Sequence, residues 1–129
     1  MGKRIGIVGT RYGEFEAHLW DEKLREILDG LPDDVEIIVN GAPGTDRRAM
    51  EIAHERGLKV TVLFPDEAWS QSARYFIHRN AAVVEQADEV YAVWDGRSAG
   101  TLHAITLARH RKVPIHIVRV RTENWQRPG

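Results

Sequence analysis

Residues 90–108 read VYAVWDGRSAGTLHAITLA, and this stretch decides the architecture. Val90, Tyr91, Ala92, Val93 and Trp94 make a short continuous apolar run that stops at Asp95-Gly96. A run of that length, rich in β-branched and aromatic residues and bounded by turn formers, reads as a strand buried in a sheet. The spacing then changes. Thr101, Ala104, Ile105 and Ala108 fall on one helical stripe, and Arg109, His110, Arg111 and Lys112 complement the carbonyl end of that helix. Strand, glycine turn and helix in this order form the first part of a βαβ unit.

The same alternation continues in both directions. Upstream lie three apolar runs: Ile5, Ile7 and Val8 before Gly9; Val35, Ile37, Ile38 and Val39 before Asn40-Gly41; and Val60, Val62, Leu63 and Phe64 before Pro65. Downstream, Ile115, Ile117, Val118 and Val120 form the last. Between them, Trp20, Leu24, Ile27, Leu28 and Leu31 form an apolar stripe closed by Gly30-Leu31-Pro32, which makes Trp20 a core residue. Ala49, Ile52 and Ala53 carry a second helix whose Gly57-Leu58 reads as a Schellman-type end. Phe76, Ile77, Val83, Val84 and Ala87 mark a third. The order β-α-β-α-β-α-β-α-β predicts a single-domain α/β sandwich: a five-stranded parallel sheet covered on both faces by right-handed crossovers. The domain is expected over residues 1–120, with residues 121–129 a polar tail that is apolar only at Trp125.

Composition narrows the function. The chain has 129 residues, no cysteine, and 18 Lys+Arg against 19 Asp+Glu for a net charge of −1. That length closes one core, and the absence of cysteine excludes a disulfide framework or thiolate zinc site. A near-neutral balance removes the general attraction on which most nucleic-acid binders depend, so nucleic acid is not the expected partner. No apolar run has the length of a membrane span, and Lys3 and Arg4 lead straight into a strand pattern rather than a signal peptide. A soluble cytoplasmic protein is the expectation, with no membrane partner.

In a parallel sheet of this kind, ligands bind beyond the carboxyl ends of the strands. Three strand ends here are glycine-rich: Gly9-Thr10-Arg11-Tyr12-Gly13, Gly41-Ala42-Pro43-Gly44-Thr45-Asp46, and Asp95-Gly96-Arg97-Ser98-Ala99-Gly100-Thr101. Glycine permits close backbone approach, and a helix N-terminus offers unpaired N–H groups to an anion. Three such loops on one rim suit a phosphate or ribose-phosphate cradle; ordinary tight turns are the alternative. The named fingerprints are absent. Gly9 to Gly13 is not G-x-G-x-x-G, the second strand ends in Asn40 rather than an acid, and no P-loop or G-x-S-x-G elbow occurs. The histidines are scattered and His54-Glu55 is not part of H-E-x-x-H, so no metal or other cofactor is expected.

On the third helix, Asn80 falls on the stripe that should face protein, with Arg79 beside it. A buried amide must find partners. Either Asn80 ties down the backbone of a neighbouring loop, or Arg79 and Asn80 give a ligand a cation and an amide. Trp69, in the loop after the third strand, is placed either to stack on a base or to pack the loop.

Taken in order, Val8-Gly9-Thr10-Arg11, Asn40-Gly41-Ala42-Pro43-Gly44-Thr45-Asp46-Arg47, Phe64-Pro65-Asp66 with Trp69, Arg79-Asn80, and Asp95-Gly96-Arg97-Ser98-Ala99-Gly100-Thr101 resemble the SLOG superfamily. That Rossmann-like group includes the LONELY GUY phosphoribohydrolases, the DNA-processing protein A core and small stand-alone, often phage-borne proteins, to which the likeness is greatest. The resemblance spans roughly Ile5 to Val118. It implies strand order 3-2-1-4-5, a homodimer, and a nucleotide or nucleotide-derived small molecule over the ends of the first, second and fourth strands.

The ligand-binding set expected on this basis is Gly9, Thr10, Arg11, Gly41, Gly44, Thr45, Asp46, Arg79, Asn80, Asp95, Gly96, Ser98, Gly100 and Thr101, with the phosphate against Gly100-Thr101. Catalysis is a separate matter. The phosphoribohydrolases carry P-G-G-x-G-T-x-x-E, whereas this chain has Ala104 in the glutamate's place and an extra residue between the glycines. Alanine cannot move a proton or stabilise an oxocarbenium-like centre. Asp95, Asp46 and His103 are the groups left to substitute. Binding without efficient hydrolysis is therefore the expectation, N-glycoside cleavage of a nucleoside monophosphate the alternative, and single-stranded nucleic-acid binding a third reading.

Overall fold

The computed structural model describes residues 2–10, 17–41, 44–63 and 73–120, the side chains of 17 and 73–77 excepted. Its elements are β1 (Arg4–Gly9), α1 (Ala17–Asp29), β2 (Glu36–Val39), α2 (Thr45–Glu55), β3 (Lys59–Val62), α3 (Ala73–Gln86), β4 (Glu89–Trp94), α4 (Ala99–His110) and β5 (Ile115–Arg119). The strands form one sheet in the order β3-β2-β1-β4-β5, as the resemblance implied, and every neighbouring pair is parallel. Arg11, Tyr12, Gly13, Ala42, Pro43, Phe64, Pro65, Asp66, Trp69 and the tail 121–129, all named from sequence, lie outside the described residues.

Alternation along the strands divides the core. Ile5, Ile7, Ile37, Val39 and Val93 face α1 and α2, where Trp20, Leu24, Leu28 and Ile52 fill the space. Val8, Ile38, Val90 and Ala92 face α3 and α4 and meet Val83, Val84, Ala104, Ile105 and Ala108. Trp20 is fully buried, as its stripe required. The second face is built from smaller residues, so its helices sit close to the sheet. A Cβ at Gly6 would lie 2.9 Å from Val83 Cγ1 and 3.0 Å from Ala87 Cβ, so glycine is what lets α3 rest on β1.

Strands β2, β3 and β5 leave out an end residue of their apolar runs. Leu63 and Val120 fall just outside β3 and β5, although the Leu63 N–H still donates to Val39 O and the Val120 N–H to Trp94 O, both at 2.9 Å.

Helix α2 closes as the sequence suggested. The Gly57 N–H donates to His54 O and the Leu58 N–H to Ala53 O, both at 3.0 Å, which are the paired bonds of a Schellman motif. Helix α4 ends in the same way without glycine. Lys112 holds φ at +60°, its N–H donates to Arg109 O at 3.1 Å, and the Val113 N–H donates to Ala108 O at 2.9 Å. Among the described residues, no helix is long and apolar enough to cross a membrane.

Candidate functional site at the carboxyl rim of the sheet

Thr10 follows β1 and binds three loops together. Its N–H donates to Val93 O at 3.0 Å, extending the β1–β4 ladder past the strand. Its carbonyl accepts the Thr45 hydroxyl at 2.5 Å, and its own hydroxyl accepts the Asp95 N–H at 3.3 Å. Gly9 makes this approach feasible. A Cβ there would stand 2.7 Å from Val93 O and 2.8 Å from Thr45 Cβ. The first turn of α2 is thereby seated directly on the end of β1.

Asn80 makes a second junction, from the helix side. Its carbonyl oxygen accepts the Asn40 side-chain amide at 2.6 Å, and its own amide donates to Gly100 O at 3.4 Å. Of the two sequence readings of Asn80, the loop-tying role is the one these bonds describe. Arg79, adjacent on α3, is buried to 6% exposure.

The β4–α4 loop is ordered largely by Asp95. Its Oδ1 accepts the N–H groups of Arg97 and Ser98, each at 2.8 Å. An aspartate engaged this way shapes its own turn. Ser98 caps α4 by position, and its hydroxyl lies 3.3 Å from that of Thr101. On the α2 side, the Arg48 guanidinium bonds Asp21 of α1 and lies 3.3 Å from Glu51. The Arg48 hydrogen bond holds the Asp21 carboxyl below the usual aspartate range, and the pair fixes the start of α2 against α1.

Burial shows how unusual this end of the molecule is. Among the described residues the buried polar and charged side chains are Thr10, Asn40, Thr45, Asp46, Arg79, Asn80 and Thr101. Thr10, Asn40, Thr45, Asp46 and Thr101 follow strands or open helices at the carboxyl rim, and Asn80 reaches this layer from α3 through its bonds to Asn40 and Gly100. Polar groups are costly to bury unless satisfied, and their hydrogen bonds weave the three glycine loops into one surface. Gly9 ends β1, and Gly41, Gly44, Gly96 and Gly100 belong to the loops or first helical turns of that rim. His103 does not join them; it lies exposed on α4. Ala104 is fully buried in the core between α4 and the sheet. Asn40, by contrast, is a rim residue that sequence reading named at the strand end and in the resemblance but left out of the binding set. Its signal was an amide at the end of an otherwise apolar strand.

The described fold also occurs in solved structures. DNA processing protein A from Streptococcus pneumoniae superposes with a TM-score of 0.77 at 16% identity, over 95% of this chain and 52% of that one. The chain has the Rossmann-like α/β fold of that protein. A second match is TM1055, a structural-genomics target, with a TM-score of 0.66 at 19% identity over 88% of this chain and 72% of that one. DNA processing protein A from Helicobacter pylori, whose structure concerns its single-stranded DNA binding mode, gives 0.59 at 17% identity, covering 94% of this chain and 67% of that one. This chain thus spans about half the length of the S. pneumoniae protein it matches. No protein-family model and no curated protein matches the chain.

Proposed function

We propose that the carboxyl rim of this SLOG-type domain binds a nucleotide or nucleotide-derived small molecule. The observation that carries the reading is the gathering of buried polar side chains into that one layer. A fold needs no such layer for stability, because an apolar rim would avoid the desolvation cost. In this reading the phosphate lies against Gly100 and Thr101, and Arg79 supplies a cation from α3. Gly9 to Arg11 and Gly41 to Thr45 frame the ribose and base, while Gly96 and Ser98 shape the approach to α4.

The test begins with native mass spectrometry of freshly purified protein, which should find a co-purifying nucleotide, followed by calorimetry to measure its affinity. Arg79→Ala should lose about 1.5–3 kcal/mol of binding, one to two decades in Kd, as for a charged hydrogen bond. Gly100→Val should abolish binding while leaving the strands intact. Unchanged binding in both variants places the ligand elsewhere.

Hydrolysis of the glycosidic bond is the reading set aside. The position that would need the acid, Ala104, faces apolar neighbours rather than the rim, and Asp95 Oδ1 is committed to backbone N–H groups. Free base released from nucleoside monophosphates by the wild type, and abolished in a folded Asp95→Asn variant, would restore the enzyme reading. The single-stranded DNA binding of the H. pylori neighbour favours a second reading, in which the rim contacts a phosphodiester backbone. Oligonucleotide affinity falling steeply with salt would mark it. A homodimer completes the proposal, and sedimentation showing a monomer at micromolar concentration would remove it.

A further inference from the structure

Arg119 ends β5 as the register partner of Trp94 on β4. Its guanidinium carbon lies 5.6 Å from the centroid of the Trp94 ring system. The indole is itself anchored, because its N–H donates to Ser98 O at 3.0 Å. Gly96 closes the third side. Its φ is +84°, and a Cβ there would come within 2.7 Å of Arg119 Cζ. An arginine is therefore seated on the β4–α4 loop, beside the first turn of α4.

The charge of that arginine is not neutralised among the described residues. Arg4, Arg25, Arg48, Arg56 and Arg111 each pair with a carboxylate, whereas Arg119 has only the indole. The loop's own carboxylate, Asp95, accepts backbone N–H groups through Oδ1 instead of meeting Arg119. An arginine over an aromatic ring keeps its N–H donors for an oxyanion, and its planar fork suits phosphate.

We infer that Arg119 is a second anion-contacting residue of the rim, and that it makes the site favour ligands carrying two phosphate groups over those carrying one. The inference rests on the nucleotide reading above, with Gly100-Thr101 holding the first phosphate. Calorimetry with paired nucleoside mono- and diphosphates (adenine, guanine, cytosine and uracil) tests it, using wild type, Arg119→Gln, Arg119→Lys and, as a distant control, Arg109→Gln at the far end of α4. For the base that binds, the diphosphate should be about tenfold tighter than the monophosphate in the wild type. Arg119→Gln should erase that difference, Arg119→Lys should keep part of it, and Arg109→Gln should keep all of it. Equal affinity for both forms in the wild type, or a preference that survives Arg119→Gln, overturns this inference and leaves the nucleotide reading standing. A wild type that binds neither form of any base overturns both.

Discussion

Asn40 at the end of β2 and Asn80 in the middle of α3 share a hydrogen bond of 2.6 Å between side-chain amides, inside a layer where Asn40 retains 1% exposure. The bond joins the end of a strand to the helix α3, and Asn80 passes the connection on to Gly100 O. Replacing Asn80 by Ala should cost about 1–3 kcal/mol, since Asn40 and Gly100 both lose a buried partner. Urea denaturation of Asn40→Ala, Asn80→Ala and the double variant should reveal a coupling of about 0.5–3 kcal/mol. Strict additivity would show that the two amides act independently.

Gly9 offers a steric test of the rim. Its missing Cβ is what admits Thr45 and the Val93 carbonyl. Gly9→Ala should destabilise the domain by about 1–3 kcal/mol through overpacking. Adding Thr45→Ser, which removes the methyl but keeps the hydroxyl, should recover part of the loss. If Gly9→Ala denatures like the wild type, α2 does not sit against β1 as described.

At Lys112 the expectation runs the other way. A lysine with φ of +60° carries a steric cost that glycine does not. Lys112→Gly should raise stability by about 0.5–1 kcal/mol, seen as a higher urea midpoint with an unchanged m-value. A lowered midpoint would mean that the lysine side chain contributes more than the backbone relief returns.

The Asp21–Arg48 pair predicts a pH dependence. Arg48 lowers the folded-state pKa of Asp21 from its ordinary 3.8, so the unfolded chain binds the proton at higher pH than the folded one. The pair's contribution is therefore full above the ordinary value and is lost as pH falls through the folded value. Denaturation of wild type and Asp21→Asn should differ at pH 7 and converge as the pH drops below 3.8. A gap that stays constant down to acid would assign the effect to packing instead of charge.

Much of this fold is legible because its strands are short, branched and punctuated. Val90 to Trp94 and Asp95-Gly96 leave little else for that stretch to be, and Gly57-Leu58 spells the end of α2. The end of α4 escaped as a Schellman motif because Lys112 occupies the left-handed position that a reader assigns to glycine. The candidate site was legible as three loops but not as a bonded layer. Thr10 is one of many threonines, and nothing local says that its carbonyl meets Thr45 while its hydroxyl meets Asp95. Asn40 and Arg119 were missed for a similar reason: their partners, Asn80 and Trp94, lie 40 and 25 positions away, and only the folded sheet brings them together.

The Thr10 junction has a kinetic consequence. Its bonds to Val93, Thr45 and Asp95 are made by the protein alone, so these parts of the rim are in place before anything binds. A ligand meeting them has no such contacts to assemble, and its observed association rate should rise linearly with concentration instead of reaching a plateau. Discrimination among related ligands would then reside in how long each one stays.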